Sequence, residues 1–289
     1  MARNPAALTA YGPMVLAAVE HLEPPERRLA DDGLAVRFLP APLRWLVAAL
    51  RPAPLRRWFI AAMDRSGPGL WASLICRKRF IADRLDEADG EVDAVVILGA
   101  GLDTLAYRMA RRSATPVFEV DQSVNITRKA ATVHRALGAL PLSVRLVALD
   151  LERDDLLTTL VEYGYRPAFR TFFVCEGVTQ YLTETAVRRT LEGLRAAAPG
   201  SRLAFTYVRR DFIDGRNSYG SARLYRRVVG KRLWRFGLAP EEVADFLAGY
   251  GWRLIEQAGP EQLKQRYVEP AGRDLPASDL EWSVYAEKR

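Results

Sequence analysis

The sequence predicts a doubly wound α/β fold, and three observations carry that reading. From about residue 91 onward, short apolar runs alternate with segments of helical period. The first run ends in Gly99-Ala100-Gly101, and the next three strand-like runs end in an acid: Asp121, Asp150 and Glu176. Such alternation builds a parallel sheet covered by helices on both faces. The 289 residues allow one large domain or two small ones, and 49% apolar with 27% charged residues excludes a disordered chain.

The elements follow in order. Residues 1–85 read as short helices punctuated by Pro24-Pro25, Pro40, Pro42, Pro52, Pro54 and Pro68, with apolar faces from Leu43, Trp45, Leu46, Trp58, Phe59, Ile60 and Trp71. They form a cap region rather than an independent domain, with residues 86–289 as the main domain. Val92 to Leu98 is apolar at every position but Asp93, as a strand buried on both faces requires along its length. A helix is expected over Leu102 to Arg112, a second strand over Thr115 to Val120, and a helix from Ser123, where Ile126, Ala130, Val133 and Leu137 share a face. Ser143 to Leu149 is a third strand and Arg170 to Cys175 a fourth. A helix from Thr183 stops at Pro199-Gly200. Ser201 to Val208, Trp252 to Gln257 and Glu281 to Ala286 complete seven strands, with a helix around Val243 to Tyr250.

Composition removes several function classes. No apolar run reaches the ~18–20 residues that span a bilayer; the best, Leu39 to Leu50, is short and carries Arg44. Met1 to Ala10 lacks the apolar core of a signal peptide. Two distant cysteines, Cys76 and Cys175, and two unpaired histidines, His21 and His134, argue against a disulfide scaffold or a metal site. A cytoplasmic protein without a metal or membrane partner is expected, and self-association is left open. The net charge of +7 is concentrated: residues 209–237 carry nine basic residues against Asp211 and Asp214, so this one segment equals the whole excess.

In open α/β sheets the ligand lies beyond the carboxyl ends of the strands. There, glycines let backbone approach a ligand closely, an acid after the second strand accepts ribose hydroxyls, and an acid after the third takes an adenine amino group. Alone, Gly99-Ala100-Gly101 is a tight turn and each acid a helix cap; their order at successive strand ends describes an adenosine site. A dinucleotide fingerprint would place a third glycine where Thr104 stands, and Asp103 would repel a pyrophosphate. S-adenosyl-L-methionine (SAM) carries no phosphate and is cationic at the sulfonium, so it suits acids at this turn.

The stretches Val96-Ile97-Leu98-Gly99-Ala100-Gly101-Leu102-Asp103-Thr104 with Ala106-Tyr107-Arg108, Phe118 to Gln122, Asp150-Leu151, and Glu176-Gly177-Val178-Thr179-Gln180-Tyr181-Leu182-Thr183 resemble the leucine carboxyl methyltransferase-like family of class I SAM-dependent methyltransferases, in its bacterial small-molecule branch associated with secondary metabolism. The resemblance implies a seven-stranded Rossmann-like sheet. It places Gly99, Ala100 and Gly101 along the methionine moiety, Asp121 with Gln122 at the ribose, and Asp150 with the Leu151 backbone at the adenine. It sets Glu176 near the amino group and reaction centre, and Arg77, preferred over Arg79, on the SAM carboxylate. Ala82-Asp83 stands where two acids are frequent, and Leu105 where arginine is frequent. The resemblance also implies a cap insertion after the fifth strand, residues 209–239, roofing the substrate pocket.

Methyl transfer from a sulfonium needs positioning and exclusion of water. A carboxylate acceptor needs no general base, and the scarcity of histidine favours one; Glu176, Tyr181 and Tyr207 are the candidate bases. Arg209, Tyr219 and Arg223 are expected to contact an acidic or planar small molecule, against the plainer reading of a solvated arginine face. A hydroxyl or carbon of a natural product is the alternative acceptor. RNA modification, suggested by the basic segment, and SAM binding without catalysis are the remaining readings; a nucleic-acid partner is not expected because no RNA module accompanies the patch.

Overall fold

The computed structural model describes residues 11–289. Met1 to Ala10, and with them the leader expectation and the start of the 1–85 cap, lie outside the described residues. Seven strands form one sheet: β1 (Ala94–Leu98), β2 (Val117–Asp121), β3 (Val144–Ala148), β4 (Thr171–Cys175), β5 (Arg202–Val208), β6 (Trp252–Ala258) and β7 (Glu281–Lys288). Their order is β3-β2-β1-β4-β5-β7-β6. The first five run parallel, and β7 is antiparallel to both β5 and β6. β1 and β4, central and parallel, are buried at every residue, which is why they read as unbroken apolar runs. The edge strand β3 leaves Arg145 and Ala148 exposed.

Alternate strand residues feed opposite faces. Val95, Ile97, Phe172, Val174, Ala204 and Tyr285 pack on one side with the N-terminal helices in a single apolar cluster. Those helices are α1 (Tyr11–Glu20), α2 (Ala35–Phe38), α3 (Ala41–Ala49), α4 (Ala53–Ser66) and α5 (Leu70–Glu87). Prolines start them: Pro42 and Pro54 occupy the first turns of α3 and α4, where a missing N–H costs nothing. The other face holds Val96, Leu98, Phe118, Phe173, Cys175, Phe205 and Tyr207 under the helices that follow β3, β4 and β5.

The remaining helices are α6 (Leu105–Met109), α7 (Ser123–Leu137), α8 (Leu156–Glu162), α9 (Glu184–Gly193), α10 (Arg210–Ile213), α11 (Ala222–Val228), α12 (Val243–Ala248) and α13 (Pro260–Leu263). The expected Leu102 to Arg112 helix shrinks to α6 because the turn after β1 consumes its first residues. The sequence reading missed α8, although Asp155 caps it by accepting from the Thr158 N–H at 2.7 Å. His134 lies exposed in the last turn of α7.

One charged group is fully buried beneath the glycine turn. Lys129 of α7 pairs with Glu119 of β2 at zero exposure, and its Nζ also donates to the Ala100 carbonyl at 3.1 Å. The Tyr107 hydroxyl donates to the same Glu119. Burial, the larger effect, lifts the Glu119 carboxyl above its ordinary value although Lys129 opposes it. Removing one partner of such a pair leaves an uncompensated charge. Lys129→Met should therefore lower the unfolding free energy by about 3–5 kcal/mol in urea titration. The loss should shrink toward acid pH, because a raised Glu119 takes up a proton there and no longer needs the cation.

Candidate functional site

Beyond the carboxyl ends of the parallel strands lies a cavity of about 370 Å³. Its floor is the strand ends: Gly99, Ala100 and Gly101 after β1, Asp121 and Gln122 after β2, Asp150 and Leu151 after β3, and Glu176 with Gly177 after β4. Its roof comes from two distant segments, Pro13, Met14, Leu70 and Leu74 of the N-terminal helices and Leu224 and Trp234 of the insertion. Hydrogen bonds close the insertion down. Arg235 donates from its backbone N–H to the Gln180 carbonyl at 2.7 Å, and its guanidinium reaches Glu152 at 2.8 Å.

The glycine turn is built by sterics. Gly99 has φ +66°, and a Cβ there would sit 2.3 Å from Val178 Cγ2. The Gly101 N–H donates to Asp121 Oδ2 at 2.7 Å, while Asp121 Oδ1 accepts from the Gln122 N–H and from Asn125 Nδ2, each at 2.7 Å. Asp121 is thereby locked in one orientation, and Oδ2, with a single protein donor, retains a lone pair for a ribose hydroxyl. Asp150 Oδ1 accepts from the Glu152 N–H at 3.0 Å, and Oδ2 is left for an exocyclic amine. The Leu151 N–H makes no hydrogen bond among the described residues, so the adenine edge meets one acceptor and one donor. Ala100 serves the turn itself, its carbonyl accepting from the Asp103 N–H and Lys129.

Opposite these acids stands Arg77 of α5, 7% exposed. Its Nε donates to Glu176 Oε1 at 2.9 Å and its Nη1 to Glu281 Oε2 at 2.5 Å. Burial works against the cation, but the two carboxylates hold it protonated above its ordinary value. Nη2 makes no hydrogen bond among the described residues and lies beside Gly177, where a Cβ would approach it to 2.9 Å. Next to it, Lys78 pairs with Asp103 and comes within 3.6 Å of Glu176. Burial opposes charge on both partners. Lys78, with Arg108 and the Leu105 N–H, nonetheless holds the Asp103 carboxyl well below the usual range. Asp103 is therefore an anion already balanced by a lysine rather than a bare charge in the turn.

A SAM molecule fits this donor set. Arg77 Nη2 would take its carboxylate, Asp121 the ribose hydroxyls, Asp150 and the Leu151 N–H the adenine, and the surplus of cavity carboxylates its cationic end. Every cofactor residue expected from the sequence lines the cavity. The catalytic and substrate candidates divide. Glu176 and Tyr181 line it, the Tyr181 ring meeting Trp234 edge-on at 6.2 Å. Tyr207 does not. It is fully buried on the far face of β5 against Phe205, because its neighbour Thr206 points toward the site and accepts from the Gly177 N–H at 2.8 Å. Arg209 and Tyr219 also lie outside the lining. Arg209 pairs with Asp279 at 2.6 Å and stacks over the Tyr219 ring, whose hydroxyl donates to Asp211. Arg223 points to solvent. The insertion thus contributes apolar side chains to the roof, not cations.

Sequence reasoning missed Lys78, Asn125, Gln180 and Glu281. Glu281 is the most instructive. The antiparallel β7 begins where the parallel strands end, and its first residue pairs with Val208 at the end of β5. A first residue of a strand carries no signal unless the strand's direction is known.

Two substitutions test this geometry. Gly99→Ala should weaken SAM binding at least about tenfold and cost about 1–3 kcal/mol of stability, because a left-handed backbone and a clash with Val178 coincide. Isothermal titration and urea unfolding read the two effects. Asp103→Asn should lower stability by about 2–4 kcal/mol at neutral pH, because buried Lys78 loses its hydrogen-bonded carboxylate and keeps only Glu176 at 3.6 Å. Since the Asp103 carboxyl is held low, that difference should be complete above the ordinary Asp range and fade only as pH falls through the lower folded-state value.

Residues 10–195 match the leucine carboxyl methyltransferase family. A protein of Mycobacterium avium (strain 104), named provisionally as an S-adenosyl-L-methionine-dependent methyltransferase, is 34% identical over 218 residues, covering 71% of this chain and 67% of the relative. A protein of the same provisional name from Mycobacterium tuberculosis (strain ATCC 25618 / H37Rv) is 34% identical over 210 residues, covering 68% of this chain and 64% of the relative. The matched region thus spans about two thirds of these relatives' length. The fold is shared with a crystal structure provisionally named a methyltransferase from Thermobifida fusca YX, at TM-score 0.59 and 21% identity over 81% of this chain and 88% of that one. A DUF574 family protein of Streptomyces avermitilis MA-4680 shares it at TM-score 0.56 and 14% identity, over 82% and 91%. Domain match, relatives and strand order agree, and the chain belongs to the leucine carboxyl methyltransferase family.

Proposed function

We propose that the methyl acceptor of this SAM-dependent methyltransferase is a small molecule with an apolar body that presents a neutral hydroxyl. One observation carries the reading: both cations of the cavity wall, Arg77 and Lys78, are already paired with carboxylates. Five carboxylates line the same wall, Asp103, Asp121, Asp150, Glu176 and Glu281. Among the described residues a carboxylate substrate would meet no unpaired cation there, and desolvating an unpaired charge is costly. That shifts the preference from the carboxylate acceptor that histidine scarcity suggested to the hydroxyl alternative.

The roof supports an apolar body, since Met14, Leu70, Leu74, Leu224 and Trp234 converge on the cavity. Two acceptor atoms, Gln180 Oε1 and Glu281 Oε1, are buried at the wall without a hydrogen-bond partner. Buried acceptors demand donors, and a protic substrate supplies them. Bound SAM would supply an electrophilic methyl group on a sulfonium sulfur. Glu176, anchored through Oε1 to Arg77, keeps Oε2 available to orient the acceptor hydroxyl and accept its proton. Tyr181 at the roof orients the substrate, and the closed insertion excludes water.

Incubation with methyl-labelled SAM and fractionated extracts should place label in apolar products that survive mild base. Release of the label as methanol would identify a methyl ester and return the acceptor to a carboxylate. Formation of S-adenosylhomocysteine without any labelled small molecule, or label in RNA, would overturn the small-molecule reading. In calorimetry, Asp121→Ala should lower SAM affinity about 10–100-fold, the loss expected for a hydrogen bond to a charged group, with the circular dichroism spectrum intact.

A further inference from the structure

We infer that the outer sides of the consecutive helices α3 and α4 are a docking surface for an anionic lipid bilayer, on which the protein sits peripherally. Among the described residues, ten large apolar side chains are exposed, and four fall on these two helices: Trp45 at 76%, Trp58 at 62%, Leu55 at 51% and Leu46 at 39%. The concentration is not chance placement along a loop. On α3, Trp45 and Leu46 continue a stripe with exposed Pro42 and Ala49, at spacings of three and four; on α4, Leu55 and Trp58 are three apart. The inner sides hold little: α3 buries Val47, and α4 buries Ile60 and Arg56. Arg56 ties α4 to Glu23 at 2.7 Å and, through the Leu50 and Arg51 carbonyls, to the connection that follows α3. The outward stripe is thus presented by a fixed element.

Charge selects the occupant. No acid occurs between Asp32 and Asp64, while Arg37, Arg44, Arg51 and Arg57 are exposed and none is ion-paired. Elsewhere in the chain exposed arginines commonly face a carboxylate, as Arg79 does Asp83 and Arg188 does Glu184. Tryptophan with leucine on a helix face and arginine around it is the chemistry of the headgroup boundary, where indole rings sit half in hydrocarbon and guanidinium groups meet lipid phosphates. A second copy docking face to face would set arginines against arginines, since a two-fold interface is self-complementary. Single-stranded nucleic acid would use the indoles by stacking but leave Leu46 and Leu55 without a role. No described helix is long and apolar enough to cross a membrane, so the contact is with the surface. The absence of a membrane partner expected from the sequence rested on spanning segments alone. This inference does not depend on the acceptor.

Sedimentation with phosphatidylcholine vesicles, with and without phosphatidylglycerol, tests it on the full chain. The protein should pellet with the anionic vesicles, shift its tryptophan emission to the blue, and be released as salt rises. The double substitution Trp45→Ser/Trp58→Ser should abolish the spectral shift and most of the binding. Each of Arg44→Gln, Arg51→Gln and Arg57→Gln should weaken binding by about fivefold. SAM affinity should be unchanged in all of them, which shows that they fold. The inference is overturned if the protein stays in the supernatant with anionic vesicles, or if the tryptophan variant pellets equally well. It is equally overturned if these substitutions abolish a dimer in sedimentation velocity, or an RNA gel shift, while vesicle binding is absent.

Discussion

The Arg77 guanidinium, held between Glu176 and Glu281, is the interaction on which the site depends. It joins three elements that are far apart in sequence: α5 of the cap, the end of β4 and the start of β7. A buried arginine with two carboxylates contributes more to specificity than to stability, since desolvation offsets much of the Coulomb attraction. What it determines is position. With two of its nitrogens bound, the third faces the cavity, and Gly177 leaves room for it where any side chain would intrude. α5 therefore cannot shift without moving this guanidinium and the two carboxylates it joins. Lys78, one residue on, repeats the tie toward the glycine turn through Asp103.

The same pairing sets the electrostatics of the pocket. Among the described residues both cations of the wall are paired with its own acids, so the wall presents mainly carboxylates, and the one donor left over is Arg77 Nη2. The basic excess of the chain lies elsewhere. Arg209, Arg210 and Arg235 are bound to Asp279, Glu242 and Glu152, and they fasten the insertion to the body, while Arg216 pairs with Asp214 inside the insertion itself. Net charge described where the arginines are; their partners decided what they do. The insertion acts through its apolar side, where Phe212, Val228 and Leu280 form a small core that carries Leu224 and Trp234 to the roof.

Cap and sheet share one apolar cluster, so the roof and the floor of the site are mechanically connected. The parts of the cap that do not join this cluster are the outer sides of α3 and α4. Their tryptophans and unpaired arginines are surplus to the fold, and a surface that costs solubility without adding stability calls for an occupant.

The sequence by itself determined the sheet and half of the site. β1 and β4 were legible because a parallel strand buried on both faces must be continuously apolar. Gly99, Gly101, Asp121, Asp150 and Glu176 were legible because doubly wound topology brings every parallel strand end to one edge. Short α8 was not, since its two buried leucines give too little period to detect. The tertiary structure alone decided the rest. The antiparallel direction of β7 put Glu281 at the site, and the period of two along β5 turned Thr206 toward the site and Tyr207 into the core. Asp279, seventy residues from Arg209, took that arginine away from the substrate. In each case the physical reason is the same: a strand end is encoded locally, whereas the partner of a charge is decided by which distant segment the fold brings beside it.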